Sequence, residues 1–334
     1  MAVPVDPKIR KQLTEERAYE AIDLWKGKRK FELLDDVQNI VQRITINGEK
    51  KIIRFTPSTS RSFNEVRAEI DWLNYLIENS IPAAAPICSS TGNFVEKLDI
   101  ESGYFSVCVF EHAKGDFVTF YDGQTWHTPL IQKWGEIMGK MHKLSKQYKP
   151  RIKNAKRMDW PWDKSIEEAK QCVPEEYQQV ITDMAKVVQR IKHHPKTPDT
   201  YGLIHNDLNP TNIFTYNDEI TIFDFDDCAY NYFIHDVAVT IPQYAVFMQQ
   251  SHWQKLLNEF FSNFMKGYQK ENLLPNYAYS HINDHLQAIN LGGVVFSFEI
   301  DEKNRKLYND YFQTVLDRYN KGHPIFTLDF CTLI

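Results

Sequence analysis

A chain of 334 residues, 43% hydrophobic and 25% charged, has an ordinary globular composition and is long enough for roughly two domains or lobes. Its net charge of −5 argues against non-specific nucleic-acid binding and leaves room for a cationic ligand. Five widely spaced cysteines without a CxxC pair give no sign of zinc or a redox dithiol, no apolar run reaches the roughly 18 residues of a membrane span, and "MAVPVDPKIRKQLTEER" lacks an apolar signal core, so a cytoplasmic protein with no membrane partner is expected.

The first third is β-rich. "NIVQRITI" and "EKKIIRF" are β-prone runs joined by Asn47-Gly48, a strong hairpin signal. A two-residue turn sets Ile46 opposite Glu49, Ile44 opposite Lys51 and Val41 opposite Arg54. In "SFNEVRAEIDWLNYLIENS", Ser62 and Glu65 form a capping box, and Val66, Ile70, Leu73 and Leu76 keep helical spacing. "SIPAAAP" is a connector, and "GYFSVCVFEHAKG" reads as a strand entering a loop at 111–115.

Beyond residue 112 the texture becomes helical. "LIQKWGEIMGKMHKLSKQ" is amphipathic, the basic run "KPRIKNAKR" reads as solvated and carries no assigned function, and "IEEAKQCVPEEYQQVITDMAKVVQRIKHH" reads as one helical stretch. Three or so further helices are expected over "HDVAVTIPQYAVFM", "WQKLLNEFFSNFMKGYQK" and about 278–319. The expectation is an α+β protein, with a small β-rich N-lobe at 1–111 and a larger, mainly helical C-lobe at 112–334.

Within the C-lobe, "LIHNDLNPTNIFTYNDEITIFDFDD" (203–227) threads carboxylates through apolar residues, which burial alone would penalise. "IFTY" and "ITIF" are short strands around a turn at 217–219. A three-residue turn would pair Tyr216 with Ile220, Phe214 with Ile222, and Asn212 with Asp224. Asp207 precedes this hairpin by a short loop, so Asp207, Asn212 and Asp224 can converge. An amide and a carboxylate suit Mg²⁺, which keeps waters and takes nucleotide phosphate oxygens as further ligands. A neighbouring unliganded carboxylate can orient or deprotonate a hydroxyl.

His205-x-Asp207-x-x-x-x-Asn212, with Asp224 in "IFDFDD", resembles the catalytic loop and metal motif of the protein-kinase-like small-molecule phosphotransferases. That group includes aminoglycoside phosphotransferases, choline kinases, homoserine kinases and a bacterial stress-response kinase. The resemblance implies a two-lobed protein-kinase-like fold and the use of ATP and Mg²⁺. Asp207 would be the base, His205 a brace of its loop, and Asn212 and Asp224 the metal ligands. Asp226 would assist metal or substrate, Asp236 in "HDVA" would buttress the loop, and His142 in "IMGKMHKL" would be structural. Asp226 and Asp227 are as readily a solvated strand end, and Tyr230 in "AYNYF" follows closely enough to line a substrate pocket.

On the nucleotide side, "LLDDVQNIVQRI" has no glycine, but Gln38-Asn39-x-Val41 resembles the loop of the homoserine and stress-response kinases. Arg54 stands where the family's lysine is expected and would grip phosphate, with Glu69, or Glu65 one turn earlier, as its partner. Glu111 to Ala113 would be the hinge that meets adenine. The expected reaction is transfer of the γ-phosphoryl group to a hydroxyl of a small molecule, such as an amino alcohol or a homoserine-like or aminoglycoside-like compound. A stress-type protein Ser/Thr kinase and a regulatory pseudokinase are the alternatives, and the sequence leaves the oligomeric state open.

Overall fold

The computed structural model describes residues 5–117, 127–246 and 253–299, with Gln313, Leu316, Asp317 and 319–321. The chain forms two compact units, Ala2–Lys114 with Tyr148–Arg157, and Gly115–Gln147 with Met158–Ile334.

The N-terminal unit opens with two short helices that the sequence reading did not mark, α1 (Pro7–Arg10) and α2 (Glu15–Asp23). Asp6 caps the first, with Pro7 in its first turn, and Thr14 caps the second. The antiparallel sheet follows the order β1 (Glu32–Asp35), β2 (Ile40–Ile46), β3 (Glu49–Pro57), β6 (Gly103–Glu111), β4 (Pro86–Ile87), and β5 (Glu96–Ile100) also pairs with β6. Asn47 and Gly48 both have positive φ, so the β2–β3 turn has two residues, and Ile46–Glu49, Ile44–Lys51 and Val41–Arg54 face each other as expected. One sheet face packs Ile40, Ile44, Ile53 and Phe55 against Ile9 and Trp25. On the other face lies α3 (Phe63–Glu78), with the Ser62–Glu65 capping box present and Val66 and Ile70 packed on Cys108.

The basic run at 149–157 is bound into this unit rather than simply solvated. Arg151 donates through Nε to Asp71 and through Nη1 to Glu78, and Tyr148 donates to the same Asp71.

In the C-terminal unit, β7 (Asp116–Phe117) leads to α4 (Thr128–Ser145). The helical stretch expected over 166–194 is broken at Pro174 into α5 (Trp162–Cys172), a short 3₁₀ turn and α6 (Gln178–Lys192). Val173, forced extended by the proline that follows it, ends α5. Strands β8 (Tyr201–Ile204), β9 (Ile213–Tyr216), β10 (Glu219–Ile222) and β11 (Ala229–Tyr232) then form two small sheets, ordered β10-β9-β7 and β11-β8.

Helices α7 (Phe233–Val246), α8 (Trp253–Tyr268), α9 (Asn276–Ser280) and α10 (Ile282–Glu299) follow. Residues 300–312 of the last predicted helical region lie outside the described residues, as does Cys331. The other four cysteines are free thiols. Helices α4 and α8 touch backbone to backbone because a Cβ at Gly135 would sit 1.9 Å from the Phe264 carbonyl oxygen, and one at Gly267 1.8 Å from that of Gln132. Among the described residues no helix is long and apolar enough to cross a membrane.

Candidate active site

The β9–β10 hairpin corrects the expected register. Asn217 and Asp218 both adopt left-handed φ, 51° and 60°, so the turn has two residues rather than three. Tyr216 pairs with Glu219, Thr215 with Ile220 and Phe214 with Thr221, a one-residue slip from the expected pairing. Phe223, not Asp224, faces Asn212, and its amide donates to the Asn212 carbonyl at 3.1 Å. Asp224 follows with φ 61°, which takes the chain out of the strand, and its side chain is exposed.

The loop from His205 to Asn212 is held at several points. Asp236, fully buried at the start of α7, accepts from the backbone amides of His205 (3.1 Å) and Asn206 (2.7 Å). Asn206 takes a left-handed φ of 70°, tolerable for Asn, and its side-chain oxygen accepts from Asn231. His205, with its proton on Nε2, donates to the Phe223 carbonyl at 3.1 Å, which ties the loop to the open end of the hairpin. On the far side of Asp236, His142 donates from Nε2 at 3.0 Å, and its Nδ1 accepts from the Tyr268 hydroxyl.

Burial acts against the Asp236 carboxylate. The His142 ring and the loop amides outweigh it and hold the group below the usual carboxylate range. His142 and His205, buried, are pushed down and stay neutral.

The Asp207 carboxylate is fixed by two amides, accepting at Oδ2 from Asn212 Nδ2 and at Oδ1 from Asn209 Nδ2, both at 2.8 Å. Asn209, which the sequence reading did not single out, also caps the 3₁₀ turn at Pro210–Asn212 by accepting from Thr211. The Asn-Pro step was its visible signal. Burial, then the charges of Asp227 and Asp224, raise Asp207 well above the usual range. Asp227 and Asp224 thus both act against the charge of Asp207.

Among the described residues no group of three or more His, Cys, Asp and Glu has metal-holding geometry. The candidate donors are fewer: with its amide nitrogen spent on Asp207, Asn212 keeps its side-chain carbonyl oxygen, and Asp224 offers an exposed carboxylate. Few and hard, one neutral and one anionic, these groups fit a divalent cation that keeps waters and shares phosphate oxygens. Asp226 is buried, while Asp227 and Tyr230 are half-buried near the start of β11.

In the N-terminal unit Arg54 pairs with Glu69, not Glu65, at 2.8 Å, and both are buried. Glu65 instead accepts from the Ser62 amide. The Arg54 guanidinium also stands 5.2 Å from the Phe110 ring centre. Asn39 is buried just before β2, with its Oδ1 unpartnered. Glu111 ends β6 bound to Lys51 at 2.6 Å, and Ala113 follows in the loop.

The model of the APH phosphotransferase enzyme family matches residues 32–277. The chain belongs to that family. It is similar to amicoumacin kinase of Bacillus subtilis (strain 168), 29% identical over 317 residues that cover 92% of each chain. Among solved structures it resembles amicoumacin kinase hAmiN in complex with AMP-PNP, Ca²⁺ and Ami, with a TM-score of 0.85 and 26% identity over 98% of this chain and 99% of that one. A microcompartment-associated aminopropanol kinase shares the fold at a TM-score of 0.72 and 18% identity, covering 94% and 99%. The α+β architecture is thus protein-kinase-like, and the chain is an ATP-dependent phosphotransferase with a small-molecule hydroxyl as acceptor.

Proposed function

We propose that this phosphotransferase acts on an amine-bearing hydroxyl compound of the amicoumacin kind, with Mg²⁺ as its cation, in the cytoplasm and without a nucleic-acid or membrane partner. The observation that carries the reading is the fixed Asp207 carboxylate, gripped by Asn209 and Asn212 and crowded by Asp224 and Asp227. Relatives of matching length that are amicoumacin kinases support the acceptor class.

In this reading the C-terminal unit supplies the metal ligands, the base and the acceptor pocket, and the N-terminal unit supplies the nucleotide groups. Asp207 orients the acceptor hydroxyl and takes its proton, and its raised pKa suits that task. Asn212 and Asp224 hold the cation, which when bound neutralises charge on the phosphates. Arg54, aimed by Glu69, grips nucleotide phosphate next to Asn39, and Glu111 to Ala113 meet the adenine. His205 and Asp236 fix the loop. Asp226, Asp227 and Tyr230 face the acceptor, with the carboxylates favouring its amine.

The test is ATP turnover with MgCl₂ against amicoumacin, aminopropanol, choline, homoserine and casein. Turnover with the amine-bearing small molecules and none with casein is expected. Phosphate appearing only on casein or on the chain itself would overturn the acceptor assignment.

A further inference from the structure

The strand that leads into the 35–39 loop is pinned at its start, where Glu32 meets Arg43 at 2.7 Å, and is otherwise lightly held. All four residues of β1 are exposed, Leu33 at 54% and Leu34 at 40%, and its pairing with β2 is irregular between Leu33 and Asp35. The strand ends on one carboxylate, Asp35, and the loop that follows opens on another, Asp36, with no glycine in either.

The N-terminal segment reaches this loop directly. Arg10 takes hold of Asp36 twice, Nη1 lying 2.9 Å from the carboxylate and Nη2 donating to the backbone carbonyl at 2.5 Å. One residue on, the Val5 amide donates to the Val37 carbonyl at 2.7 Å. Val5 and Ile9 are buried in the core that also holds Ile40, so the segment itself is anchored to the sheet.

We propose that residues 5–10 are a clamp that presets the 35–39 loop to receive nucleotide phosphate, with Arg10 as the positioning residue. The inference rests on the nucleotide reading of that loop given above. Two physical effects act together. A loop fixed before binding pays less ordering entropy when phosphate arrives. The guanidinium also cancels the Asp36 charge, which would otherwise repel a polyphosphate. Burial holds the neighbouring Asp35 carboxyl above its usual range, so the second carboxylate is also easier to neutralise. A glycine-rich loop meets phosphate through a bare, adaptable backbone. Here an external strap would supply the fixed geometry instead.

A control lies two residues further on. Gln12 ties the end of the same segment to Ser102, donating to its hydroxyl at 2.8 Å and accepting from its amide at 3.1 Å. It does not reach the 35–39 loop by any of these bonds.

The experiment measures AMP-PNP binding with MgCl₂ by calorimetry on the full chain, the R10A variant and the Q12A variant, with the Tm of each recorded without nucleotide. Expected is a Kd about tenfold weaker for R10A, the scale of one charge-assisted pair, and an unchanged Kd for Q12A at a comparable loss of Tm. An unchanged Kd for R10A, or equal weakening in R10A and Q12A, overturns the clamp and leaves the nucleotide reading intact. Absence of AMP-PNP binding by the unmutated chain overturns the nucleotide reading itself.

Discussion

Arg54 Nη2 lies 2.8 Å from Glu69 Oε2 with both side chains closed to solvent, and Glu69 Oε1 has no hydrogen-bond partner among the described residues. Two desolvated charges in this state depend on each other. Arg54→Ala leaves the glutamate buried and uncompensated, and a loss of about 3–5 kcal/mol in urea unfolding is expected. Replacing both with apolar residues, Arg54→Met with Glu69→Leu, should recover most of that loss while nucleotide binding does not return. Equal stability of Arg54→Ala and the parent would show that the pair is not desolvated.

Arg151 should prove structural. It binds Asp71 and Glu78 from a segment distant in sequence, and Asp71 is buried. Because Tyr148 and the Arg151 amide still donate to Asp71 Oδ2 after truncation, and only Oδ1 loses its donor, Arg151→Ala is expected to cost only about 1–2 kcal/mol. Limited proteolysis should then cut within 148–157 faster than in the parent. An unchanged cutting rate would return this run to the status of a solvated tail.

Four histidines of the C-terminal unit set an acid limit on stability. His194 stacks on His281 at 3.8 Å, the Nδ1 atoms of His235 and His285 are 3.2 Å apart, and Asp284 is the carboxylate that meets His194. Burial pushes all four down, His235 to about 4 and His285 well below its ordinary value. The unfolded chain therefore takes up protons first. Stability is full above the unfolded pKa of about 6.5 and is lost as pH falls below it, by up to about 1.4 kcal/mol per pH unit for each fully buried ring. Urea unfolding at pH 7.5 and pH 5.0 should show this loss, and His285→Phe should flatten it. A stability that does not change over that range would contradict it.

Where local chemistry decides a structure, the sequence was readable. Asn47-Gly48 announced the β2–β3 register, and Ser62 with Glu65 announced the start of α3. The three-residue turn expected at β9–β10 is wrong because Asn217-Asp218 carries no glycine to mark the two left-handed positions. The loop from His205 to Asn212 was visible as a motif, but Asn209 showed its part only through a hydrogen bond to Asp207. Helices α1 and α2 are too short for periodicity to reveal, and the partners of Arg151 lie about seventy to eighty positions away. Charge alone cannot announce a distant partner.

The corrected hairpin register yields its own test. A β-branched residue in a left-handed conformation costs about 1–2 kcal/mol, so Asp218→Val should destabilise by that amount. Asp218→Gly, which adopts the same φ without a steric cost, should be destabilised clearly less than Asp218→Val, since both lose the His127 contact. If both variants behave alike, the two-residue turn is wrong.

The central claim is that Asp207 faces the acceptor hydroxyl. Asp207→Asn keeps the shape of the side chain but removes its ability to take a proton. Steady-state turnover with ATP and an accepted amino alcohol, measured beside AMP-PNP affinity, separates chemistry from binding. The account predicts a fall in kcat of about 10²–10⁴ with AMP-PNP affinity retained. A variant that keeps parental kcat would contradict it.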